Sequence, residues 1–395
     1  NFDGNDFALE SIAKGAKYAL VSNESLVDNI KIFYSEDTLS SLQRLAEFHR
    51  KKFTIPVIGL TGTNGKTTTK ELITKVLQQK YKVCSTQGNL NNHIGVPLTL
   101  LNINSNTEIA VIEMGAGGLH EISTLVNIAH PTHGLITNIG KAHLLGFKSV
   151  DGVKKTKGEL YDYLISSNGT IFYNSDDNVL IDMIAEKGAK SIVSYSKDNT
   201  TIETSNTPFL QFKINEKSVN TKLIGQYNIN NILAAICIGQ YFDIEEDLAI
   251  EAIESYNPSN NRSQFLETAN NSIVIDAYNA NPVSMEASII NFSKINRPNK
   301  VYILGDMLEL GEDSLKEHYN IYSLLSKITT SDDTIYLVGD QFKSCLNETH
   351  IKENFKHFNS NLQLKDFLIN NPINNSFILI KGSRGIKLEV TLECL

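Results

Sequence analysis

Short apolar runs alternate along the chain with segments whose apolar positions recur every three or four residues. The first pattern reads as buried strand and the second as amphipathic helix, so their alternation predicts α/β architecture on largely parallel sheets. In the opening fifty residues, 16–22 and 30–34 read as strands and 38–49 as a helix. The run 55–60 opens a second unit and leads through a glycine-rich turn into a helix over 67–80. In that helix Leu72, Ile73, Val76 and Leu77 share one face. Further strands are predicted at 109–113 and 134–138, and a polar helix start followed by an Ala/Ile-rich buried helix at 225–241. The polar run 257–264 reads as a linker. Beyond it, strands at 273–276, 301–304, 335–338 and 377–380 repeat the strand-then-helix rhythm.

Length changes this picture by requiring more than one core: 395 residues exceed a single ordinary domain. Three are expected, over 1–53, 54–262 and 263–395. The chain opens at Asn1 without a methionine, so the first unit is expected to lack its first strands. A net charge of -8 argues against non-specific binding to nucleic acid or anionic lipid, and so directs attention to lysines and arginines inside clefts. Cys84, Cys237, Cys345 and Cys394 are scattered without CxxC spacing, which suits a reducing cytosol and gives no zinc or disulfide framework. No apolar stretch approaches the ~20 residues of a membrane span. A cytoplasmic protein without membrane insertion is expected.

The strongest chemical signal lies at Thr61-Gly62-Thr63-Asn64-Gly65-Lys66-Thr67-Thr68, between a hydrophobic run and an amphipathic helix. Glycines let backbone N–H groups approach phosphates, and a helix N-terminus adds positive partial charge. Lys66 would reach the β- and γ-phosphates, and the Thr67 hydroxyl would face Mg²⁺. Leu60 stands where the strict pattern has its first glycine, so the loop is a variant. Glu113 ends an apolar run, where open α/β sheets collect ligand-binding groups, and a carboxylate there suits Mg²⁺. Such a loop serves kinases, ATPases and ligases alike.

The segments that follow resemble the Mur ligase family in the family's own order. TGTNGKTTTKE (61–71) is similar to its phosphate loop, and GNLNNHIGVPLTLL (88–101) resembles its MurF branch. EMGA (113–116), TNIGKAHLLGF (137–147), KTKGELY (155–161), GQYNINNILAA (225–235), DAYNANPVSM (276–285), LGDMLELGE (304–312) and KGSRG (381–385) complete the series. NFDGNDF (1–7) resembles the end of a motif in the family's UDP-binding domain.

The resemblance implies a three-domain fold, with a central P-loop domain and a Rossmann-like C-terminal domain. It also implies ATP-dependent joining of D-Ala-D-Ala to UDP-MurNAc-tripeptide through an acyl phosphate, by a monomer. It makes Glu113 a Mg²⁺ ligand and His143 a group near a second metal. Lys157 becomes the lysine carbamylated by CO₂, whereas Lys154 and Lys155 beside it leave open a basic, solvated helix start. Asn231 is implied on adenine, with Asn228 three residues away on the same helix face and Tyr227 in place of the family's usual histidine. Arg262 is implied at the nucleotide and Asp276 on ribose. Asn89, Asn91 and Asn92 are assigned to the UDP-sugar peptide. Lys381, Ser383 and Arg384 are assigned to the dipeptide carboxylate, with Asp306 as a further substrate residue; a plain polar loop is the competing reading for this group. A sister Mur or folylpolyglutamate-type ligase shares the loop, Glu113 and Lys157 but not the 88–98, 279–285 and 304–311 motifs. A P-loop kinase would phosphorylate without forming an amide.

Overall fold

The computed structural model describes residues 3–203, 207–259, 262–346 and 352–395. Asn260 and Asn261 of the linker run, and the first two residues of NFDGNDF, lie outside the described residues.

Six strands form a wholly parallel sheet in the order Val83–Ser85, Ile109–Glu113, Val57–Thr61, His133–Ile136, Thr170–Asn174, Ile192–Tyr195. The strand feeding the phosphate loop is central, and all five of its residues are buried. A parallel sheet covered on both faces needs such unbroken apolar runs. On one face the helices Lys66–Leu77 and Ile229–Tyr241 pack Leu72, Val76, Ile232 and Ile236 into one core. On the other, Glu121–Ala129 and Val150–Ser166 build a second core around Ile112, Leu125, Leu160 and Leu164.

An antiparallel sheet of Thr200–Ile202, Phe209–Ile214 and Lys217–Ile224 extends the first core, an element the strand-and-helix alternation did not predict. A second six-stranded sheet runs Gln264–Glu267, Asn271–Asp276, Ser376–Lys381, Lys300–Gly305, Thr334–Val338, Phe355–Phe358. Its first pair is antiparallel and the rest parallel. Near the start of the chain, Ala19–Val21 and Ile32–Tyr34 pair in parallel, and the helix Thr38–Arg50 follows. Arg50 is buried and donates to the carbonyls of Ala129 (3.0 Å) and Phe53 (2.6 Å), tying that helix to the end of Glu121–Ala129 and to the segment that leads into the central sheet.

Candidate active site

The carboxyl ends of the two large sheets face a shared cavity of about 630 Å³. Its floor is the phosphate loop. Gly62 has φ +148° and lies so close to the next strand's end that a Cβ would sit 1.8 Å from Thr137 Oγ1. Gly65 has φ +81°, and a Cβ there would meet Asn231 Oδ1 at 2.6 Å. Only glycine accepts both the dihedral and the approach. Asn138, at the end of the neighbouring strand, fixes the loop from both sides. Its Oδ1 accepts from Asn64 N (3.0 Å) and its Nδ2 donates to Asn64 O (2.9 Å). The sequence reading missed this role, although Asn138 stands at a strand end where such groups gather.

Lys66 folds back over its own loop and donates to the carbonyls of Gly62 (2.8 Å) and Thr63 (3.0 Å). Burial lowers its amine to about 8; Glu113 pulls it upward and Arg262 pushes it down. Glu113 is fully buried at the end of its strand. Its Oε1 accepts from Thr67 Oγ1 (3.1 Å) and Asn91 Nδ2 (2.7 Å), whereas Oε2 is buried with no hydrogen-bond partner. A buried carboxyl oxygen left unpaired beside a threonine hydroxyl on a phosphate loop fits a hard divalent cation such as Mg²⁺.

The far wall comes from the second sheet. Asp276 ends the strand Asn271–Asp276, and Lys381 Nζ sits 2.5 Å from its Oδ2. The Arg262 guanidinium stacks 3.6 Å from the centroid of the Tyr278 ring. Asn281 caps the helix Pro282–Lys294 in a capping box with Ser284, and its Nδ2 donates to Asn64 Oδ1 across the cavity (2.7 Å). An ion pair and a hydrogen bond join the same sides: Lys141 with Glu317 (2.8 Å) and His143 with Glu309. Burial raises the Glu317 carboxyl, but hydrogen bonds from Lys141 and Asn320, with the charges of Lys141 and Lys316, together outweigh it and leave the group below the usual range.

A model of the Mur ligase middle domain matches residues 60–239, and one of the Mur ligase glutamate ligase domain matches 261–384. The UDP-N-acetylmuramoyl-tripeptide–D-alanyl-D-alanine ligase of Bacillus subtilis is 33% identical across all of this chain and 88% of its own length. The chain belongs to the Mur ligase family. The Escherichia coli enzyme of the same name is 31% identical over 100% of the chain and 88% of its own. Among solved structures, MurF from Acinetobacter baumannii superposes with a TM-score of 0.87 at 28% identity, covering 99% of this chain and 87% of that one. MurF from Thermotoga maritima, solved in complex with ADP, gives 0.84 at 25%, covering 100% and 91%.

Of the residues singled out from the Mur ligase motifs, Thr63 to Thr68, Asn91, Asn92, Glu113, His143, Asn231, Arg262, Asp276 and Lys381 line the cavity. Asn231 Oδ1 accepts from Thr69 Oγ1 (3.0 Å) and its Nδ2 donates to Asn228 Oδ1 (2.9 Å), so its amide is already oriented. Asn228 itself donates to Ile224 O (2.8 Å). Lys157 lies just behind the wall, 2% exposed, on the buried face of Val150–Ser166. The solvated alternative belongs to its neighbours: Lys155 is exposed and Lys154 pairs with Glu186 at 3.2 Å. Burial holds the Lys157 amine well below the ordinary lysine value, and the charge of Lys66 lowers it further.

Four assigned residues are not among those that line the cavity. Asn89 is exposed in the loop before Asn91. Asp306 is buried and spends both oxygens on the backbone N–H groups of Gln341 (2.9 Å) and Phe342 (3.0 Å), at the start of the helix Asp340–Leu346. Ser383 accepts from Leu308 N (2.9 Å) and donates to Ala280 O (3.4 Å), which holds two loops together. Arg384 is exposed beside the cavity and donates to Tyr278 Oη (3.3 Å). Lys381 does line the wall, but Asp276 already pairs its charge.

Proposed function

We propose that the chain is an ATP-dependent ligase that joins D-Ala-D-Ala to UDP-MurNAc-tripeptide in peptidoglycan precursor synthesis. The observation that carries this reading is the buried, half-unpaired carboxylate of Glu113 beside the phosphate loop, opposite a second sheet whose strand ends supply Asp276 and Arg262. In the first step the substrate's terminal carboxylate oxygen attacks the γ-phosphorus of ATP, and the bond to the β-phosphate oxygen breaks, giving an acyl phosphate and ADP. The D-Ala-D-Ala amine then attacks the acyl carbon, loses a proton, and phosphate leaves.

Gly62 to Thr68 cradle the phosphates, and Lys66 offsets charge developing on the transferred oxygens. Glu113 and Thr67 would hold Mg²⁺, which supplies charge compensation at the phosphates. His143 and a CO₂-derived carbamate on Lys157 complete a second cation site in this reading. A buried lysine with a depressed pKa presents the neutral amine that CO₂ requires, which supports this role for Lys157. Asn231, Arg262 and Asp276 hold the nucleoside end. Asn91 and Asn92 meet the UDP-sugar peptide, and Arg384 meets the dipeptide carboxylate. Both sides of the cavity come from one chain, consistent with action as a monomer, and the site of action is the cytoplasm, where ATP is supplied. Among the described residues no helix is long and apolar enough to cross a membrane.

The test is ADP release with UDP-MurNAc-tripeptide in the presence and absence of D-Ala-D-Ala, with the amide product followed by mass. Turnover requiring both substrates is expected. Phosphorylated product without amide bond, or equal turnover with an unrelated amine, overturns the reading.

A further inference from the structure

Tyr278 lies in the turn between the strand Asn271–Asp276 and the helix Pro282–Lys294, half-buried at the cavity edge. Two arginines from opposite ends of the second sheet's sequence converge on its ring. Arg262, which precedes the first strand, places its guanidinium carbon 3.6 Å from the ring centroid, within stacking contact. Arg384, 122 residues later at the turn after Ser376–Lys381, lies 5.2 Å from the same centroid, and its Nη1 donates to Tyr278 Oη at 3.3 Å. One side chain thus uses two chemically separate features, its π face and its hydroxyl, on two cations.

Gathering two guanidinium groups on one ring has a Coulombic cost that the ring's electron-rich face and the hydroxyl lone pair offset. Long arginine side chains also lose rotamer freedom when held, and a ring that pre-orders them removes that cost from ligand binding. We propose that Tyr278 is a positioning residue that orients Arg262 toward the nucleotide through its ring and Arg384 toward the acceptor carboxylate through its hydroxyl. This inference rests on the roles given to the two arginines above. It assigns the ring and the hydroxyl to different substrates, so the two functions are separable by substitution.

The experiment measures KM for ATP and for D-Ala-D-Ala in Tyr278→Phe, Tyr278→Leu, Arg262→Ala and Arg384→Ala. Tyr278→Phe keeps the stack and loses only the hydroxyl, so it raises KM for D-Ala-D-Ala by about 3- to 10-fold, the range of one hydrogen bond of ordinary net strength, and leaves KM for ATP unchanged. Tyr278→Leu also loses the π face and raises KM for ATP by roughly 2- to 5-fold. Adding Tyr278→Phe to Arg384→Ala gives no further loss for the dipeptide, because the hydroxyl acts only through that arginine. A purely structural tyrosine would instead lower kcat or the melting point without splitting the two KM values. If the arginine variants shift KM as assigned while Tyr278→Phe and Tyr278→Leu shift neither, the positioning role is overturned and the ligase reading stands. If Arg262→Ala and Arg384→Ala leave both KM values unchanged, the arginine roles fail and the inference falls with them.

Discussion

Thr67 Oγ1 donates to Glu113 Oε1 at 3.1 Å, so the first turn of the phosphate-loop helix and the end of the adjacent strand share one buried carboxylate. Asn91 donates to the same oxygen from the loop that precedes the helix Gly95–Leu100. Three segments separated in sequence therefore converge on a group whose other oxygen has no protein partner.

Glu113→Gln retains an acceptor for Thr67 and Asn91 but removes the charge. ADP release is expected to fall by ~10²–10³, the usual cost of one preorganised electrostatic partner, with little change in melting temperature. Glu113→Ala in addition leaves a buried hydroxyl and amide unpaired and costs about 1–3 kcal/mol in urea denaturation. Undiminished turnover of Glu113→Gln across a Mg²⁺ titration would remove this residue from the metal site.

The two loop glycines are expected to differ in severity. Gly65→Ala forces a residue with a Cβ to φ +81°, a cost of about 1–2 kcal/mol, and pushes Asn231 aside. Gly62→Ala is worse, because its Cβ would overlap Thr137 Oγ1 at 1.8 Å, and that hydroxyl is held by its bond to Asn64 O at 2.7 Å. Equilibrium denaturation should rank Gly62→Ala below Gly65→Ala, and Thr137→Ala should restore part of the loss in the Gly62 variant only.

The chemistry of the floor was legible because a phosphate loop is local: strand, glycines, lysine and helix are consecutive, and Glu113 closes a run read as 109–113 and found as Ile109–Glu113. Contacts between the two sides were not legible. His143 meets Glu309 across 166 residues and Lys141 meets Glu317 across 176, distances over which no periodicity carries information. The antiparallel strands were hidden for a different reason. Phe209–Ile214 alternates half-buried and buried positions, but its outward residues include Phe209 and Gln211 instead of a clean polar set. At Asp306 and Ser383 the polar atoms that the motifs offered to substrate are taken up by backbone groups of the helix Asp340–Leu346 and of neighbouring loops. A motif marks a residue the fold needs as readily as one the substrate needs.

His133 supplies a pH dependence of stability. Burial among Phe172, Tyr241 and Phe242 lowers its imidazole from 6.5 to about 4, so the folded chain holds it neutral. As pH falls below 6.5 the unfolded chain takes up the proton first, and stability is lost until about pH 4, where both states are protonated. The share is up to roughly 3 kcal/mol. His133→Phe should flatten that part of the acid limb when urea midpoints are compared at pH 7, 5.5 and 4.5; an unchanged slope would show that the ring titrates normally in the fold.

Lys157 opposes stability to function. The residue is 2% exposed, and burial together with the nearby Lys66 charge holds its pKa well below 10.5. Folding therefore favours loss of the amine's proton, and this group's contribution improves as pH rises toward the ordinary lysine value. Lys157→Met fills a similar volume without the charge. It is expected to raise the melting temperature of the nucleotide-free protein at pH 7, with the advantage narrowing toward pH 10. The same change removes the amine that CO₂ would modify, so ligation should fall by at least ~10² and high CO₂ should not restore it. A carbamate carbon signal from ¹³C-bicarbonate should appear in the unsubstituted protein and vanish in Lys157→Met. Full ligase activity in that variant would eliminate the carbamate, whereas a lower melting temperature would mean that the lysine stem, not its charge, governs packing at this position.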